Sequence, residues 1–221
     1  MVMQFTVKHA FENFHRFFPA TRLPRRLFCQ SSDEAPFNLM EQRLSYVSLN
    51  PLRRLMLFFV ILRYRAAYDK TFKLDEFEQG ALQAFYVLSA ALFGRDYDRI
   101  EKITTAETAK ALRTSLQRVP DGKLWVFDLK ESDVYFRQLH SGAIVSAAGS
   151  TVLQMLMVYH AFYKRQEFQE STEEMSTDKI LQVRHRFVVA NLRLIKQLTP
   201  SYDEDWLIDY ANYGQIHPGD P

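Results

Sequence analysis

The sequence predicts an α+β fold, with N-terminal helices packed on one face of a curved antiparallel sheet. Two observations carry this expectation. Up to Pro120, apolar residues recur at spacings of three and four, as they do along one face of a helix. Beyond the strong turn signal Pro120-Asp121-Gly122, the chain changes to runs rich in Val, Ile, Phe and Tyr, divided by Ser141-Gly142 and Gly149-Ser150.

Each element has its own signal. From Ser31 to Pro51 the chain is mixed in character and reads as a flexible start. Leu49-Asn50-Pro51 begins a helix, because proline is welcome in a first helical turn. Arg53 and Arg54 follow, then the apolar run Leu55–Leu62, then Arg63 and Arg65. This segment is expected to be buried or covered by a partner, with its arginines reaching to the surface. The alternative is a helix lying in a membrane interface. Leu74-Asp75 opens the clearest helix, with Phe77, Ala81, Ala84, Phe85, Leu88 and Leu92 on one stripe and a stop at Gly94. Tyr97 and Ile100 continue into a short helix. Thr104 and Glu107 form a T-x-x-E capping box for another, which carries Ala109, Leu112 and Leu116 inward.

Leu124–Phe127, Asp133–Leu139, Ala143–Ala147, Thr151–Tyr163 and Ile180–Leu194 read as strands, and Trp206, Ile208 and Tyr210 alternate as a closing strand. Arg165–Asp178 reads as a charged loop. Thr151–Tyr163 is apolar at both parities: Leu153, Met155, Met157 and Tyr159 on one face, Val152, Leu156, Val158 and Phe162 on the other. A strand of this kind is covered on both sides. One cover is the helical layer; the other is a bent part of the sheet, a partner or a ligand.

Charge is unevenly placed. The first 32 residues hold five basic residues and one acid, which leaves 23 bases against 25 acids in the remainder. A basic, acid-poor, phenylalanine-studded start resembles a mitochondrial targeting presequence over 1–32, removed near Phe28. Phe5, Phe11, Phe14, Phe17 and Phe18 can share one helical face there. The rest divides into 33–73, a linker with the basic-flanked amphipathic helix, then 74–215, an α+β domain, and 216–221, a tail. The single cysteine, Cys29, excludes an internal disulfide framework and a cysteine metal site. With the leader removed, the slightly acidic body gives no reason to expect general nucleic-acid binding. The longest unbroken apolar run, Leu55–Leu62, is eight residues, where roughly 20 are needed to cross a bilayer.

Catalytic signatures are thin. There is no G-x-S-x-G, no phosphate-binding glycine loop and no H-E-x-x-H. Away from the leader and the tail, His140, His160 and His185 remain, and a histidine within a sheet is more often a hydrogen-bonded structural residue than a catalyst. A pocket enzyme would pair Asp128 or Asp133 with His185. Aromatic and methionine residues fit packing or binding better. Trp125, Tyr135, Met155, Met157, Tyr159, His185, Phe187 and Trp206 are the candidates to line an apolar groove or pocket.

These residues also resemble the pattern of one family. Asp69-Lys70 with Phe72, Glu76-Phe77, Gly80-Ala81, Gln83-Ala84-Phe85, Asp98 with Ile100-Glu101, Glu107, Ala111-Leu112 and Pro120-Asp121 follow one another within Ile61–Pro120. This stretch resembles the opening of the Tim44-like domain family, in particular its branch of m-AAA protease adaptors. Asp128 with Glu131, the methionine-rich strand around Leu156, and Asp205-Trp206 with Ile208 agree in kind and order. Trp125, Gly142–Ser150, Glu167–Asp178 and Gln215–Pro221 depart from the pattern. The resemblance implies a cone of the NTF2/cystatin-like kind, with no catalytic residue, no cofactor and no small-molecule substrate. It implies a matrix protein peripheral to the mitochondrial inner membrane. Its partner would be the m-AAA protease, whose clients, such as a calcium-uniporter subunit, it would help to mature or protect; the mitochondrial ribosome or the import translocase is the alternative partner. Arg53, Arg54, Arg63 and Arg65 would then face anionic lipid or a partner, since each basic residue near such a surface contributes about 1 kcal/mol.

Overall fold

Asn50 caps the first helix by accepting from the Leu52 amide, and Pro51 supplies its first residue, giving α1 (Pro51–Ala67). The computed structural model describes residues 37–47, 50–147, 149–170, 183–199 and 205–215. The segment 1–32 expected to be a presequence, its expected cleavage point near Phe28, and the tail 216–221 lie outside them. After α1 come α2 (Leu74–Phe93), α3 (Tyr97–Ile103) and α4 (Ala106–Gln117), then the strands β1 (Val134–Ala147) and β2 (Ser150–Phe162). A short α5 (Arg165–Glu170) precedes β3 (Phe187–Thr199) and β4 (Leu207–Gln215). The fold is α+β, its strands forming an open, curled antiparallel meander in the order β1-β2-β3-β4.

Register shifts after Val134, Leu139, Thr151 and Arg193 interrupt the ladders. Extra residues of this kind increase local twist and curl a sheet. Gly149, at φ +83°, makes the tight turn between β1 and β2. Pairing of Tyr159 with Ala190, and of Ala190 with Tyr213, defines the inner face. There α2 lays Phe77, Ala81, Phe85, Leu88 and Leu92 onto the sheet, the stripe read from the sequence. Phe85 stacks between Tyr159 (4.5 Å) and Tyr213 (5.9 Å), and the Tyr213 hydroxyl meets Ser89 Oγ at 2.9 Å.

Part of the outer face, at β3 and β4, is covered by a strap, residues 37–47. It starts at the edge of β4, where the Leu39 amide donates to Tyr213 O and the Gln215 amide to Phe37 O. It then crosses two buried asparagines that alternation turns away from the helices. Asn212 accepts from the Met40 amide and donates to Gln42 O; Asn191 exchanges two bonds with the Ser45 backbone. This segment, which the sequence had marked as a flexible start, therefore covers β4 and the neighbouring part of β3. Gly214 makes room for it. A β-carbon there would lie 2.5 Å from Leu44 Cδ1 and 3.0 Å from Phe37 O. Gly214→Val is expected to cost about 1–3 kcal/mol by overpacking, and limited proteolysis should then cut within 37–47 before the sheet opens.

Several expectations need correction. Leu124–Phe127 is not a strand but part of a 3-10 helix, Asp121–Phe127, with Val126 and Phe127 buried. Ser141-Gly142 is not a turn; β1 runs through it, because a β-carbon at Gly142 would lie 3.0 Å from Leu57 Cδ1 and α1 needs the space. The strand expected from Ile180 begins at Phe187, after a 3-10 turn at Arg184–Arg186, and residues 180–182 lie outside the described residues. Arg165–Glu170 is helical rather than loop, and residues 171–178 are not described. Thr105, not Thr104, caps α4; Thr104 closes α3, its hydroxyl donating to Ile100 O at 2.8 Å. α1 belongs to the same compact unit as the other helices and the sheet.

Candidate docking surface

α1 carries apolar residues around its whole circumference, and the described residues cover only one side of it. Tyr64 is fully buried against Phe72 (5.1 Å), and Leu57, Val60 and Ile61 are half-buried on the same side. The opposite side exposes Leu52 (69 %), Met56 (70 %), Phe58 and Phe59, with Leu55 and Leu62 beside them. A helix apolar all round is ordinarily buried all round, and an exposed apolar patch of this size marks an interaction surface. Burial by the described residues is therefore corrected; cover by a partner, or a membrane interface, remains as the expectation. Arg53, Arg54, Arg63 and Arg65 are exposed along its margins, and the helix holds no acid. Arg53 Nη1 contacts His140 Nε2 at the β1 bulge, and burial followed by the Arg53 charge lowers the His140 pKa.

The predicted groove does not assemble. Met155, Met157 and Tyr159 lie on the inner face, fully buried beneath the helices, so they are core residues. Tyr135 and Phe187 stand on the outer side, with their rings 6.2 Å apart and Tyr135 at 6.1 Å from His160. His160 is buried there, its Nε2 without a hydrogen-bond partner among the described residues, and burial pulls its pKa down to about 4. Trp125 packs on Tyr163 at 5.0 Å. His185 is exposed on the 3-10 turn before β3. The acid–base pair suggested for a pocket enzyme does not form around Asp133, whose two oxygens accept from the Lys130 and Arg165 amides.

Trp206 sits elsewhere. Its ring is 4.7 Å from Phe77, and both line an open cleft of about 280 Å³ between the start of α2, the connection that precedes it, and β3. Phe72, Glu76 and Gly80, which share the cleft, were not among the predicted groove residues. The available signal was Gly80, an interruption inside an otherwise regular helical stripe.

No protein-family model matches this chain, and no characterised protein matches it either. Among the described residues no helix is long and apolar enough to cross a membrane, and no three His, Cys, Asp or Glu side chains gather as a metal site.

Proposed function

We propose that this chain is a non-enzymatic adaptor on the matrix side of the mitochondrial inner membrane. It binds the m-AAA protease and helps to mature or protect that protease's clients. The observation that carries the reading is the uncovered apolar side of α1 with arginines at its margins and no acid among them. Such a surface suits a site where protein meets anionic lipid: the apolar side chains enter the interface and the guanidiniums meet phosphate. The basic, acid-poor first 32 residues support the compartment in this reading, and the resemblance to the Tim44-like pattern over Ile61–Pro120 supports the partner.

The test is affinity purification of the mature protein from mitochondria in gentle detergent, beside binding to anionic vesicles. Recovery of m-AAA subunits is expected. Changing Arg53, Arg54, Arg63 and Arg65 to Glu should weaken vesicle binding by about a thousandfold or more, at about 1 kcal/mol per lost contact. Unchanged vesicle binding would remove the membrane from the proposal. Ribosomal or translocase subunits in place of the protease would keep the scaffold and replace the partner.

A further inference from the structure

The cleft at Trp206 has a chemistry opposite to that of α1. Its apolar lining includes Phe72 and Phe77, both nearly buried, and the half-buried Trp206. The Phe72 and Phe77 rings are 6.1 Å apart and tilted by 47°; Phe77 and Trp206 are tilted by 53°. Carboxylates stand at the mouth. Asp69 Oδ1 is fixed by the amide and hydroxyl of Thr71. Glu76 pairs with Lys73 at 2.7 Å, but these side chains are 67 % and 69 % exposed. An exposed pair of this kind is weak and readily exchanged.

Gly80 supplies the second, independent observation. It is exposed in the interior of α2, where glycine is the poorest helix former after proline. A β-carbon at Gly80 would meet nothing within 4 Å, so no contact inside the described chain requires the missing methyl. This contrasts with Gly142 and Gly214, where a neighbouring segment occupies the space. The absent side chain leaves the cleft open at the helix backbone.

We propose that this cleft binds an arginine side chain presented by an extended basic segment of a partner protein. The guanidinium is planar, stacks on aromatic rings and meets a carboxylate with two parallel bonds. Its three-carbon stem suits the apolar lining. Glu76 exchanges Lys73 for the incoming cation, and Gly80 lets the ligand's backbone approach α2. The four arginines and absent acids of α1 make that helix repel the same segment, so the two surfaces receive different partners. The inference goes beyond the adaptor reading and stands whether or not α1 meets the protease.

Fluorescence anisotropy on the full chain tests it with two labelled Gly/Ser decapeptides, identical except that one carries three arginines and the other three citrullines. The arginine peptide is expected to bind about tenfold or more tightly than the citrulline peptide, and Glu76→Gln should narrow that ratio. Gly80→Ala should lose about tenfold in binding while raising the thermal midpoint by a few degrees, about the gain expected for Ala over Gly in a helix. Loss of binding in a more stable protein separates an occluded cleft from misfolding. Equal binding of the two peptides, or full binding by Gly80→Ala, overturns the proposal. Self-association that Gly80→Ala abolishes would seat a second copy in the cleft and overturn it as well.

Discussion

Replacing Phe85 by alanine is expected to remove about 3–5 kcal/mol of stability, the usual cost of emptying a buried ring site. Phe85 is fully buried and lies nearly parallel to two tyrosines of the sheet, at 20° to Tyr159 and 15° to Tyr213. It also meets the Tyr86 ring edge-on at 5.2 Å. The site joins α2 to β2 and β4 at once, so the gap cannot close by moving a single neighbour. A domain of this size holds about 5–15 kcal/mol in total, and the variant should therefore be near its threshold at 37 °C. Urea denaturation of the wild type, Phe85→Ala and Phe85→Leu checks this. A loss below about 1 kcal/mol for the alanine variant would show that α2 is not seated on the sheet through this ring.

The second large effect is acid sensitivity centred on His160. Burial holds its folded-state pKa at about 4, below the ordinary value of 6.5, so the fold favours the neutral ring. The associated stability is fully present above about pH 6.5 and is lost as pH falls through 4, a change on the order of 3 kcal/mol. The rings of Tyr135 and Phe136 lie about 6 Å away and offer no negative charge to hold an imidazolium. His140, lowered by burial and by Arg53, changes stability in the same direction. His160→Phe should flatten the stability–pH curve between pH 6.5 and 4 relative to wild type. Near pH 4 the variant should also exceed wild type by up to about the same 3 kcal/mol, because it has no buried ring to protonate. Parallel curves for the two proteins would assign the acid effect to other groups.

Elements whose signal is local were legible in the sequence. α2 announces itself by its stripe and by Gly94, α1 by Asn50-Pro51, and the β1–β2 turn by Gly149. The misreadings share a cause, which is that the deciding contact lies far away in the chain. Gly142 reads as a turn residue until Leu57 and Val60 of α1 are set over it. Leu124–Phe127 is a four-residue apolar run, too short for periodicity to separate strand from helix. The strap has no periodicity, since asparagines on β3 and β4 hold its backbone. The candidate surfaces divide in the same way. Arg53, Arg54, Arg63 and Arg65 could be read directly, because charge and apolar runs are written in one segment. Parity correctly grouped Met155, Met157 and Tyr159 on one face, and a helical layer was expected over one side of β2, but the sequence did not show that it closes over this one.

The strap also constrains the order of events when the chain is made. The Phe37 amide reaches Gln215 across 178 residues, and the Met40 amide reaches Asn212 across 172. No part of that clasp can form until the last strand has emerged, although the strap itself is synthesised or threaded early. Contacts of such long sequence separation are slow to form. Through that interval the outer side of β3, where Asn191 waits for the Ser45 backbone, stays uncovered, and chain waiting in this state is prone to aggregate. A protein that closes its first described segment on its last strand must be finished before it is protected, and a holding chaperone would act in that window.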